Sequence, residues 1–91
     1  MEITADKLKA GREYIVKSLA CTGAIRRRII DMGVTPGASI ILKKRAPFGD
    51  PIEFSVRGYE LSMRKTEARL IVALPKSMAD KHLNVEWYNA L

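Results

Sequence analysis

The chain has 91 residues, 47% of them hydrophobic and 29% charged, which suits one folded domain and excludes a disordered tail. No apolar run approaches the ~20 residues that span a bilayer, and the charged opening MEITADKLKAG lacks the apolar stretch of a signal peptide, so a cytoplasmic location without membrane insertion is expected. The net charge of +6 points to an acidic partner, and it is unevenly placed: Arg26 to Lys65 holds nine Lys/Arg and four Asp/Glu, while Lys76 to Leu91 holds two of each.

Leu8 anchors a turn, KLKAG, that closes at Gly11. REYIVKSL follows, rich in β-branched and aromatic residues, and reads as a strand with Tyr14, Val16 and Ser18 on one face and Ile15 on the other. In TGAIRRRIIDMG the period changes. Ile25, Ile29 and Met32 fall at i, i+4 and i+7, the apolar stripe of a short helix over about 23–32. Thr22 is placed to cap its start and Gly33 to end it. Arg26 and Arg27 point away from the stripe; Arg28 lies at its edge, its stem along apolar surface and its charge outward.

VTPGASIILKKR gives a type II turn at Pro36-Gly37 and then a strand, with Ile40 and Leu42 on one face and Ile41 and Lys43 on the other. After the loop RAPFGDP, the run IEFSVR alternates Ile52, Phe54 and Val56 with polar neighbours, the cleanest half-buried strand in the chain. Gly58 marks a bend, bulge or tight hairpin before a second alternating run at Tyr59, Leu61 and Met63. KTEA is a turn or a single helical turn, and RLIVAL, bounded by Pro75, suits a last strand covered on both faces. Five or so short strands and one small helix describe a mainly β fold, a small closed barrel over 1–75. The remainder, 76–91, is a C-terminal extension ending in Trp87 and Tyr88: either a short helix packed on the barrel or a tail ordered by a neighbour.

Chemistry is sparse. Cys21 is the single cysteine and His82 the single histidine, too few and too far apart for a zinc site, so neither metal site nor cofactor is expected. No Ser/His/Asp or Cys/His set is available, and no phosphate-loop lysine signature is present, so the chain is not expected to be an enzyme. A trans-acting arginine, Arg26 or Arg27, aiding a GTPase partner is the one catalytic contribution left open. In the loop, Asp50 is expected to bond its own backbone while Pro47 and Pro51 restrain the chain on either side. That restraint would hold Phe48 outward as an anchor or fold it over the core. Tyr59, beside Arg57 and Gly58, is either a barrel aromatic or part of an aromatic and basic groove.

In RRRIIDMGVTPG, RAPFGDPIEFSVRGYELSMRKTEA and the closing apolar strand the chain resembles the ferrous iron transport protein A family, FeoA, over roughly Leu8 to Leu74. The order carries it: a basic helix ending Asp-x-Gly, then Thr-Pro-Gly, Pro-x-Gly-Asp-Pro and Arg-Gly-Tyr. The resemblance implies an SH3-like β-barrel of the bacterial cytosol that assists FeoB, the membrane GTPase that imports Fe2+, by binding its cytosolic part. Phe48 stands where the family's loop more often carries Leu, and residues after Pro75 lie beyond the shared part.

The reading is therefore a protein–protein interaction domain of ferrous iron transport, held at the inner face of the membrane through its partner. Its expected contact residues are Arg26, Arg27, Arg28, Pro47, Phe48, Arg57 and Tyr59. Two alternatives stand beside it: a basic small-barrel nucleic-acid-binding protein, and a stand-alone relative of the SH3-like domain of metal-responsive repressors. Nucleic acid is disfavoured because the strands show few aromatics on their polar faces for base stacking. Membrane-surface association would need a longer exposed amphipathic helix than AIRRRIIDM supplies.

Overall fold

Every second side chain of β4 (Ile52–Val56) is apolar, and the period-two geometry of a strand puts Ile52, Phe54 and Val56 on one buried face. The computed structural model describes residues 1–81, and five further strands surround β4: β1 (Ile3–Thr4), β2 (Glu13–Leu19), β3 (Ser39–Arg45), β5 (Tyr59–Met63) and β6 (Ile71–Pro75). All pair antiparallel, in the order β1-β6-β2-β3-β4-β5. The sequence predicts five of them, from alternation, β-branched composition or a continuous apolar run. The sixth, β1, is two residues added to the outer side of β6, with Ile3 opposite Ala73, and is too short to show a period.

The sheet curls around one core that includes Leu8, Val16, Ile29, Ile40, Leu42, Phe54 and Ile71. Among the described residues its hydrogen-bonded ladder has two ends, β1 and β5. Asp6, in the 3-10 turn Ala5–Lys7, is buried and accepts a 2.6 Å bond from the Thr4 hydroxyl. The expectations placed on His82, Trp87 and Tyr88 lie outside the described residues.

β2 departs from simple alternation. Tyr14, Ile15 and Val16 are all buried, and the register with β6 shifts between Val16 and Ser18. A bulge there turns the following residues over. Ser18, expected beside Tyr14 and Val16, is exposed, and Leu19 packs on the core instead. Ile15 lies opposite Leu74 and, like it, is buried outside the main core, on strands against which α3 (Lys76–Lys81) packs. Both faces of this part of the sheet are therefore covered.

Helix α1 (Gly23–Asp31) ends as its sequence predicts. Val34 N–H reaches the Ile29 carbonyl at 3.2 Å and Gly33 N–H the Ile30 carbonyl at 2.9 Å, the paired bonds of a Schellman ending, with Gly33 at φ +97° and Ile29 and Val34 both buried. Its start differs. Thr22 occupies the N-cap position with extended backbone, but its hydroxyl makes no capping bond, because the chain turns into the helix through a left-handed Gly23. The predicted stripe is also only half used. Ile29 is buried and Met32 packs on the core, whereas Ile25 is 53% exposed: α1 meets the barrel through its C-terminal half and its first turn overhangs.

The Pro36-Gly37 turn closes with Ala38 N–H on the Thr35 carbonyl at 3.0 Å. Gly58 marks a tight hairpin. Arg57 (φ +53°) and Gly58 (φ +85°) both occupy the left-handed region that a two-residue type I′ turn requires, and Val56 pairs with Tyr59 across it.

Candidate interaction surface

The expected contact residues lie on three elements. On α1, Arg26 and Arg27 are exposed and make no ion pair among the described residues, whereas Arg28 Nη2 lies 3.3 Å from Glu67 Oε2. Glu67 belongs to α2 (Lys65–Ala68), where its Oε1 also accepts from Arg64 N–H at 3.0 Å. The charge of Arg28 is thus partly engaged, and those of Arg26 and Arg27 face solvent.

The second element is the loop from Ala46 to Pro51. Gly49 N–H donates to the Ala46 carbonyl at 2.7 Å and Ala46 N–H to the Pro51 carbonyl at 3.0 Å, and the Asp50–Pro51 peptide is cis. Asp50, whose sequence context predicts a bond to its own turn, bonds elsewhere. Its Oδ1 accepts from Lys65 N–H at 2.9 Å, fifteen residues on, and so caps α2 from outside. Pairing of β4 with β5 sets Ile52 opposite Met63, which delivers Asp50 to the first turn of α2. Phe48, at the tip, is 100% exposed: it anchors nothing within the fold. Replacing Asp50 by Ala should cost about 1 kcal/mol in a denaturant titration, the usual cost of a lost helix cap. An unchanged midpoint would show the bond idle.

The third element is the β4–β5 turn. Arg57 Nη2 donates to Thr35 Oγ1 at 2.5 Å, its Nε to the Gly33 carbonyl at 3.3 Å, and its backbone N–H to the Ser39 carbonyl at 3.2 Å. This side chain fastens the hairpin to the segment that follows α1. Tyr59 is 78% exposed, so it is not a core aromatic: it sits at the hairpin tip, beyond the buried Val56 and Met63.

These three elements do not form one patch. The loop and the hairpin lie at opposite ends of β4, separated by roughly 14 Å of strand. Helix α1 connects to each only indirectly: Arg28–Glu67 joins it to α2, whose first turn the loop's Asp50 caps, and Gly33, just past its end, accepts from Arg57. An open cleft of about 280 Å³ runs between α1 and α2, lined by Ile25, Arg28, Arg64, Thr66, Glu67 and Leu70. All of these but Arg28 are absent from the sequence-derived set. The periodicity assigns Ile25 inward, and nothing local shows that α1 overhangs.

Among the described residues no group of three or more His, Cys, Asp or Glu is placed to hold a metal ion, and no helix is long and apolar enough to cross a membrane.

Six short antiparallel strands curled over one core define a domain of the SH3-like class. A solved FeoA protein of Stenotrophomonas maltophilia, complexed with zinc and described as an SH3 domain protein, shares the fold at 24% identity, with a TM-score of 0.68 over 78% of this chain and 88% of that one. The FeoA domain profile matches residues 3–75, and the chain belongs to the FeoA family, an accessory-type family associated with ferrous iron transport and not a family of enzymes. It is 40% identical to the FeoA protein of Chlorobium tepidum, with a TM-score of 0.74 over 80% of this chain and 70% of that one. Over 65 residues it is 29% identical to an Fe(2+) transport protein A/Fe(2+) transporter FeoB fusion protein of Porphyromonas gingivalis. The match takes in 71% of this chain but only 8% of the fusion's length.

Proposed function

We propose that this chain is a non-enzymatic accessory domain of ferrous iron uptake that binds the cytosolic GTPase part of a FeoB-type transporter, at the inner face of the membrane. One observation carries the reading: in the Porphyromonas gingivalis relative, a segment similar to this chain and a FeoB transporter are one polypeptide. Fusion enforces proximity, and a domain that works beside its partner in one chain is suited to bind it as a separate one. Fe2+ enters this reading as the transporter's cargo.

The contact surface we assign is centred on α1. Arg26 and Arg27 supply exposed charge to steer an acidic face of the partner, and the cleft of Ile25 and Leu70 beside them offers apolar surface. Arg28, Pro47, Phe48, Arg57 and Tyr59 flank it on the two sides described above. Residues 1–75 form the interacting unit and 76–91 an extension of it.

Calorimetric titration of the chain with the isolated cytosolic GTPase domain, and separately with duplex DNA, tests the proposal. Saturable one-to-one binding to the GTPase domain that persists at physiological salt is expected. Binding to DNA alone, collapsing as salt rises, would replace the proposal with a nucleic-acid role, since phosphate contacts release counterions and weaken steeply with salt.

A further inference from the structure

We propose that the Ala46–Pro51 loop seats this domain on an anionic bilayer surface, with the Phe48 ring inserted among the lipid headgroups. The inference goes beyond the transporter reading and does not depend on it.

The ring is fully exposed, with Pro47 and Pro51 exposed beside it. The turn beneath is held by the Gly49–Ala46 and Ala46–Pro51 backbone bonds and by Asp50 on Lys65 N–H, so little freedom remains to be lost on docking. Cations surround its base. Lys44 and Arg45 end β3 immediately before the loop, and Arg64 and Lys65, all exposed, stand where Asp50 meets α2. Arg45 Nη2 reaches the Asp6 and Leu8 carbonyls at 2.9 and 3.2 Å and makes no ion pair among the described residues. The carboxylates nearby are engaged: Glu53 lies 3.9 Å from Lys44 Nζ, Asp50 caps α2, and Glu67 accepts from Arg64 N–H while pairing with Arg28. Four exposed cations thus outnumber Asp50, Glu53 and Glu67 around an apolar tip, and the last of these shares its charge with Arg28. An open cleft of about 390 Å³ behind the tip, lined in part by Lys44, Arg45 and Ser62 and also by Glu53, has donors that lipid phosphates accept from, with Glu53 beside Lys44.

The same tip fits a protein pocket less well. Tyr59 is at the far end of β4 and Ile25 is on α1, so the loop presents one ring and two prolines. A stable protein interface needs about 800 Å² from each partner. A bilayer requires no matching shape: it takes an apolar tip into the interface and attracts the cations around it. Each Lys or Arg near an anionic surface strengthens partitioning roughly fivefold, and withdrawing a phenyl ring from water adds about tenfold. Seating by this loop is therefore weak and reversible.

Co-sedimentation of the whole chain with phosphatidylcholine vesicles, with and without phosphatidylglycerol in equal amount, tests the seat. The chain should partition at least tenfold more strongly into the anionic vesicles, and less so as salt rises. Phe48→Asp should weaken that partitioning about tenfold, and Lys44→Glu with Lys65→Glu at least as much. Unchanged circular dichroism is expected for both, because these side chains are exposed. In a Trp87→Phe chain, Phe48→Trp should emit to the blue on anionic vesicles. Failure to partition, or a Phe48→Asp chain that partitions like the parent, overturns the proposal. So does a Phe48→Asp chain that loses the GTPase domain while keeping the vesicles, which would make the ring a protein contact. Vesicle binding is read without the transporter, so the two proposals fail separately.

Discussion

Replacing Phe54 by Ala should leave the domain largely unfolded at physiological temperature. Among the described residues Phe54 is the largest fully buried side chain, at 0% exposure on β4, and its strand is paired on both sides. Removing a buried phenyl ring costs about 3–5 kcal/mol through lost transfer energy and the cavity left behind. Domains as a whole hold roughly 5–15 kcal/mol, and one this small sits near the lower end. The chain's other phenylalanine supplies the control: Phe48→Ala should change stability by no more than about 0.5 kcal/mol, since the ring touches nothing it supports. Far-ultraviolet circular dichroism with a urea titration reads both. A Phe54→Ala loss of ~1 kcal/mol or less would mean that this core is not where the stability resides.

The second large effect is expected on association. Arg26→Glu with Arg27→Glu should slow binding to the GTPase domain by at least about tenfold at low salt and by less as salt rises, because unpaired surface charges act mainly on the encounter rate. The fold should tolerate the pair, since both side chains are exposed and make no ion pair among the described residues. Stopped-flow association rates at several ionic strengths, with dissociation rates measured beside them, separate steering from contact. An unchanged association rate would remove α1 from the binding surface. The same variants decide whether either arginine acts on GTP hydrolysis: a partner whose turnover responds equally to parent and variant gains nothing from them.

Much of the fold is legible because it is periodic. Ile52, Phe54 and Val56 declare a strand and its buried face, and the Asp31–Gly33 ending of α1 follows from one glycine and the paired apolar residues Ile29 and Val34. What is not legible arises where distant segments meet. The bulge after Val16 reverses Ser18 and Leu19, and only pairing with β6 reveals it. Ile25 carries the spacing of a core residue, but α1 projects past the barrel there.

The candidate surface suffers most from this. Arg57 reads as a free cation beside a turn, yet its guanidinium is bonded to Gly33 and Thr35, more than twenty residues earlier. Asp50 reads as a turn former, yet it caps α2. Arg45, one of three consecutive basic residues, spans to the carbonyls of Asp6 and Leu8. In each case composition supplies the charge, and tertiary structure decides whether it is free to meet a partner. Arg26 and Arg27, on the outward face of a helix, are the exception: helical spacing alone predicts their exposure, and the structure agrees.

The central claim, that α1 is the face presented to the transporter, is tested most directly by amide NMR of the isotope-labelled chain during titration with the GTPase domain. Saturable shifts confined to Arg26–Arg28 and the neighbouring cleft around Ile25 and Leu70 are predicted. Shifts confined to α3 and the β1 edge, with α1 untouched, would contradict it.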